Sequence, residues 1–129
     1  MYCIVPVNIF IIAIPNSSIM LKIENTKAQM RKGVLEFCIL SILENGEAYP
    51  SDILVRLKKA NLIVVEGTLY PLLTRLKNSG LLTYRWEESK SGPPRKYYTI
   101  TSDGITFLSA LYVTWKDLVK AVRLTTKKI

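Results

Sequence analysis

The chain has 129 residues, with 18 lysines and arginines against 10 aspartates and glutamates, a formal net charge of +8. That length fits one small domain, and 49% apolar with 22% charged residues excludes intrinsic disorder. The sequence contains no histidine, which removes the commonest general base and metal ligand, and two cysteines, Cys3 and Cys38, rule out a CxxC metal or redox motif and a disulfide framework. No metal and no cofactor are therefore expected. A basic balance fits a nucleic-acid binder and equally a protein with solvated lysines, so the arrangement has to decide.

Residues 1–19 carry no charged side chain, and all 28 charges lie from Lys22 onward. The apolar run Ile4 to Ile14 is short of the roughly 20 residues that span a bilayer, and Pro6 and Pro15 punctuate it. It also lacks the basic start and small-residue cleavage site of a secretory signal. A membrane anchor stays open as one reading. The preferred one is that Met20 is the physiological start, with residues 1–19 an apolar leader outside the fold. Neither a stable membrane association nor a location outside the cytoplasm is expected.

The first helix is expected from about Thr26 to Leu43, with Val34, Leu35, Cys38, Ile39, Ile42 and Leu43 on one face, and Asn45-Gly46 stops it. Cys38 lies inside that stripe and reads as a small core residue. A second helix runs from about Pro50 to Ala60, with Pro50 in its first turn. Leu62 to Val65 is short, β-branched and apolar and could pair as a stub strand. A third helix follows from about Thr68, its cap, to Ser79. Pro71 falls in its first turn, Leu69, Leu72, Leu73 and Leu76 form its buried stripe, and Gly80 closes it.

Leu81 to Glu88 alternates as a strand, with Leu82, Tyr84 and Trp86 on one face. Ser89 to Pro94 reads as loop, and Arg95 to Thr101 as the returning strand. The last helix, about Ser102 to Thr125, is capped by Thr101 or Ser102. Its residues Leu108, Leu111, Trp115, Leu118 and Val122 recur at coiled-coil spacing, with Ile105, Tyr112 and Val119 on a flank. One stripe can pack within the chain; the other calls for a second copy, against the alternative of a single long buried helix. Residues 20–101 thus form one domain and 102–129 a dimerisation helix.

Helices with a short turn between the second and third, followed by a hairpin, describe a mainly α winged helix-turn-helix. Its mechanism follows from the major groove, which admits one helix whose side chains read base edges, while the hairpin tip reaches backbone or minor groove. The basic tip with Lys90, Arg95 and Lys96 suits that use, as do Arg75 and Lys77 on the third helix and Lys27, Arg31 and Lys32 at the start of the first.

The segments RKGVLEFCILSIL, GTLYPLLTRLKNSGLL and GPPRKYYTITSDG resemble the PadR family of bacterial transcriptional regulators, over about Ala28 to Val122. The resemblance is to the short type, with one C-terminal dimerisation helix. It implies a homodimeric repressor that binds double-stranded DNA at an inverted-repeat operator and is often released by a small molecule. Carried over by position, Thr68, Tyr70, Pro71 and Arg75 lie on the recognition helix, Arg95 and Lys96 are wing contacts, and Lys32 touches phosphate. Tyr70 has the alternative of a structural tyrosine. Tyr97 and Tyr98 read as strand packing. Trp115 is a candidate wall for a planar aromatic effector, set against the stronger reading that it fills the space between the first and last helices. No enzyme is expected: there is neither a phosphate loop nor a carboxylate pair facing a cleft. The alternative function is a winged helix that docks on protein rather than DNA.

Overall fold

The structure, a computed structural model, describes residues 16–127. Its elements are α1 (Ser17–Glu44), α2 (Pro50–Lys59), α3 (Glu66–Asn78), β1 (Leu82–Ser89), β2 (Gly92–Ile100) and α4 (Ser102–Thr126). The chain forms two compact units divided after Val34. In the first, α1 begins at Ser17, nine residues before the expected Thr26, and none of residues 16–33 is buried. Most of the proposed leader, residues 1–15, lies outside the described residues; Ser17 to Ile19 are the first residues of α1.

The second unit holds the core. Leu35, Ile39, Leu40 and Leu43 of α1 pack with Ile53 and Leu57 of α2 and Leu69, Leu72, Leu73 and Leu76 of α3, together with Leu82, Tyr98 and Leu108. Cys38 packs at the edge of this cluster, and burial pushes its thiol up from the ordinary value, so it stays a protonated apolar residue.

Two helix ends set the turns. After α3, Gly80 has φ +80°, its N–H donates to the Lys77 carbonyl and the Leu81 N–H donates to the Leu76 carbonyl, the paired pattern that ends a helix on a left-handed residue. Asn61, with φ 63°, does the same after α2: the Leu62 N–H donates to the Leu57 carbonyl. Val65 is already the N-cap of α3. Leu62 to Val65 is held between two helix ends and forms no strand, contrary to the sequence expectation. The hairpin finds its extra partner in Ala48 instead, which exchanges two backbone hydrogen bonds with Tyr98, at 3.1 and 2.9 Å. The start of α3 also differs: Thr68 is not the cap but lies inside the helix, and Pro71 stands beyond the first turn. Pro71 removes the donor that would meet the Gly67 carbonyl, and Gly67 lies at the solvent-exposed surface.

The hairpin is antiparallel, with Leu82 opposite Ile100, Tyr84 opposite Tyr98 and Trp86 opposite Lys96. The strands run further than expected, through Pro93 and Pro94, and leave Lys90-Ser91 as the turn. Those prolines are tolerated because the two-stranded sheet consists of edge strands.

Thr101 fixes α4. Its hydroxyl donates to the Gly80 carbonyl at 2.7 Å and accepts from the Gly104 N–H at 3.0 Å, while its N–H donates to the Leu81 carbonyl. Leu108 is fully buried in the chain's own core, so it leaves the coiled-coil seam that the spacing suggested. Leu111 is half-buried against the core, and Tyr112 donates to or accepts from Ser41 at 2.9 Å and meets Phe37 edge-on at 5.0 Å. From Val113 onward every described residue of α4 is exposed.

Gly104 is buried where a Cβ would run into the Leu81 carbonyl oxygen and the Ile100 side chain. Helix propensity alone favours alanine by about 1 kcal/mol, but a backbone carbonyl cannot yield, and overpacking costs about 1–3 kcal/mol. Gly104→Ala should lower the urea midpoint with an unchanged slope; a raised midpoint would contradict this packing.

Candidate nucleic-acid interface

Burial of the leucine stripe fixes how α3 is rotated. At 3.6 residues per turn, Tyr70 and Arg75 stand about 140° apart around the helix. Tyr70 shares its flank with Lys77, seven residues on, and this flank faces the hairpin: the Lys77 ammonium is 5.8 Å from the centroid of the Tyr84 ring. Thr68 and Arg75 share the opposite flank, where the Arg75 guanidinium pairs with the Glu36 carboxylate of α1. The partner of Arg75 comes from 39 positions away in the chain. Pro71 and Thr74 lie between the flanks, exposed.

Alternation along β2 separates the two wing residues that the sequence grouped. Lys96 shares a face with Tyr84 and Trp86, its ammonium 4.6 and 5.5 Å from their centroids. Arg95 stands on the other face, its guanidinium 5.1 Å from the Tyr49 ring, and Tyr49 stacks on Tyr97 at 4.6 Å. Arg85 also lies on that face, bound to Glu87 at 2.7 Å and Glu47 at 3.4 Å.

Charge is therefore sorted. Arg85 and Arg75 are neutralised by carboxylates, whereas among the described residues Lys77, Lys90, Arg95 and Lys96 form no ion pair. Three of these four rest on aromatic rings, which hold a cation in place without cancelling its charge. Lys90 occupies the hairpin turn, exposed.

Between α3 and the hairpin lies a groove of about 400 Å³ lined by Tyr49, Pro50, Ser51, Tyr70, Trp86, Pro94, Arg95 and Lys96. Of the residues expected at the site, it brings together Tyr70, Arg95 and Lys96. Thr68, Pro71, Arg75, Lys77 and Lys90 are not among its lining residues. Lys32 belongs to the first unit and is exposed there. Sequence reading missed Tyr49, Pro50, Ser51 and Pro94, because only the packing of α2 beside β2 brings them to Tyr70. Trp86 could have been found from strand alternation and register with the Lys96 strand. Among the described residues no acidic or cysteine cluster could hold a metal, and no helix is long and apolar enough to cross a membrane.

A buried three-helix core that presents one helix beside a two-stranded basic wing defines a winged helix-turn-helix regulator. The chain belongs to the PadR-like family of transcriptional regulators, whose profile matches residues 39–110; the family is regulatory and not enzymatic. A PadR-like transcription factor from Bacteroides fragilis is 58% identical, with 79% of this chain and 99% of that one covered and a TM-score of 0.68. A PadR family regulator from Eggerthella lenta is 29% identical over 86% and 98% of the two chains, with a TM-score of 0.77. PadR of Bacillus subtilis, solved with operator DNA, is 28% identical over 62% of this chain and 47% of that one, with a TM-score of 0.58.

The face of the hairpin that carries Arg85 has an acid limit. Glu47 accepts from Arg85 and from the Thr99 hydroxyl at 3.0 Å, and these hydrogen bonds hold its carboxyl below the ordinary 4.5. A depressed carboxylate adds stability above its ordinary value, and that stability is lost as pH falls through the folded value. The wild-type protein should thus lose stability below about pH 4.5 more steeply than Glu47→Gln. Thermal melts between about pH 6 and pH 3, spanning the carboxylate range, check this, and parallel curves would show that Glu47 contributes nothing.

Proposed function

We propose that the protein is a homodimeric transcriptional repressor of the cytoplasm that binds an inverted-repeat DNA operator and is released by a planar aromatic effector. The observation that carries the DNA reading is the groove: an exposed Tyr70 on α3 lines it together with Lys96 and Arg95 of the wing, cations that form no ion pair among the described residues. In this reading the exposed side of α3, with Thr68, Tyr70, Pro71 and Arg75, enters the major groove, and Arg75, more than half exposed beside Glu36, reaches a base edge. Lys77, Lys90, Arg95, Lys96 and Lys32 meet phosphates. That Bacillus subtilis PadR was solved with operator DNA supports the DNA-binding reading.

The dimer reading rests on α4. Trp115, Leu118 and Val122 are exposed in the single chain, 43%, 51% and 56% respectively, and Leu111 is only half-buried. A second copy that covers this seam gives a two-fold symmetric pair of heads, which an inverted repeat matches. Trp115 lies 6.3 Å from Phe37, beside Tyr112, and this half-open aromatic cluster supports an effector site at the dimer interface. Only a difference in effector affinity between two arrangements of the heads drives release.

The test is selection of a duplex from a randomised pool, then binding as a function of salt. Half-sites should lie about 34 Å apart, and affinity should fall with a log–log slope of about −0.9 per phosphate neutralised. Arg75→Ala should cost about 1–3 kcal/mol and relax the selected sequence. Failure to select any duplex would favour the protein-docking alternative. A reporter gene behind the selected duplex reads the sign of regulation, and repression is expected.

Leu118→Asp should give a folded monomer, because Leu118 contributes little to the core of its own chain and an unpaired carboxylate is costly inside an interface. Sedimentation checks both forms: a wild-type monomer at micromolar concentration, or a dimeric variant, would contradict the seam.

A further inference from the structure

Trp86 is the one ring of the hairpin that the fold leaves exposed: Tyr98 is buried and Tyr84 and Tyr97 are half-buried, but Trp86 keeps 61% of its surface in solvent. It also stands in the wall of two concavities. One is the groove with Tyr70 and Lys96. The other, of about 560 Å³, lies further toward the wing tip and is lined by Trp86, Glu88, Pro93 and Pro94. Trp86 and Pro94 thus form an apolar ridge between the two hollows.

On the side of the first groove the ridge is flanked by cations, while Glu88 lines the outer hollow. Tyr84 meets Trp86 edge-on at 5.9 Å, and Lys96, its partner in register, holds its ammonium 5.5 Å from the ring centroid. Lys77 reaches the same face through Tyr84. A flat apolar surface flanked by cations matches the DNA backbone, where apolar deoxyribose edges alternate with phosphates.

We propose that Trp86, with Pro94, is a DNA-contact residue of the wing, packing on the deoxyribose edge of the backbone while Lys96 binds the neighbouring phosphate. This rests on the DNA-binding reading above. The two residues then divide the work: Lys96 supplies charge, and Trp86 supplies apolar contact that releases no counterion.

That division gives them different signatures on the duplex selected by the wild-type dimer. Trp86→Ala should weaken binding roughly tenfold or more and leave the salt slope unchanged, and Trp86→Phe should restore most of the loss. Lys96→Ala should weaken binding and lower the slope by about 1. In a Trp115→Phe background Trp86 is the sole tryptophan, and its emission should change on addition of the duplex. Circular dichroism of each variant confirms folding. If Trp86→Ala binds as tightly as wild type while Lys96→Ala lowers the slope, the proposal is overturned and the DNA-binding reading stands. If the wild type selects no duplex, both fall. A reduced slope in Trp86→Ala would also overturn the proposal, since the ring would then act only by positioning Lys96.

Discussion

Burial of Leu69, Leu72, Leu73 and Leu76 against α1 and α2 is the constraint on which the rest of the molecule depends. It sets the rotation of α3 about its own axis, and with it which side chains can meet a partner. Tyr70 and Lys77 are turned to the wing, Arg75 and Thr68 to α1, and Pro71 and Thr74 outward. Full burial of a leucine contributes about 1.5–3 kcal/mol, far more than an exposed ion pair such as Arg75–Glu36. The core therefore decides the orientation, and the polar contacts adjust to it.

The wing is tied to that orientation at both ends. Gly80 in its left-handed conformation turns the chain from α3 into β1, and Thr101 returns the chain to the same spot by binding the Gly80 carbonyl. Ala48 holds β2 from the side at Tyr98. The position of Lys96 relative to Tyr70 follows from these few contacts, all of them local to the α3–β1 turn or to one backbone bridge.

Much of this was legible in the sequence because it depends on local chemistry. The leucine spacing, the glycine after α3, the Thr101 cap and the alternation of Leu82, Tyr84 and Trp86 each identify an element, and together they specify the winged fold. The rest depends on contacts between distant positions. The Arg75–Glu36 pair and the Ala48–Tyr98 bridge join residues far apart in the chain, so no window of sequence displays them. Heptad spacing in α4 shows which residues share a face but not where the chain's own core ends: Leu108 is buried in that core, Leu111 and Tyr112 still pack at its edge, and the residues from Val113 onward are exposed. Arg95 and Lys96, adjacent in sequence, rest on different aromatic partners because neighbours on a strand point to opposite faces, yet both line the groove.

The central claim is the proposal that the duplex is received on the face formed by α3 and the wing, around the groove that Tyr70, Trp86 and Lys96 line. Lysine acetylation with and without the selected DNA, mapped by mass spectrometry, tests it most directly. Lys77, Lys90 and Lys96 should be protected by DNA, whereas Lys58 and Lys59, at the far end of α2 from the groove-lining Pro50 and Ser51, should be modified equally in both states. Protection of Lys58 and Lys59 with Lys96 left open would contradict the account.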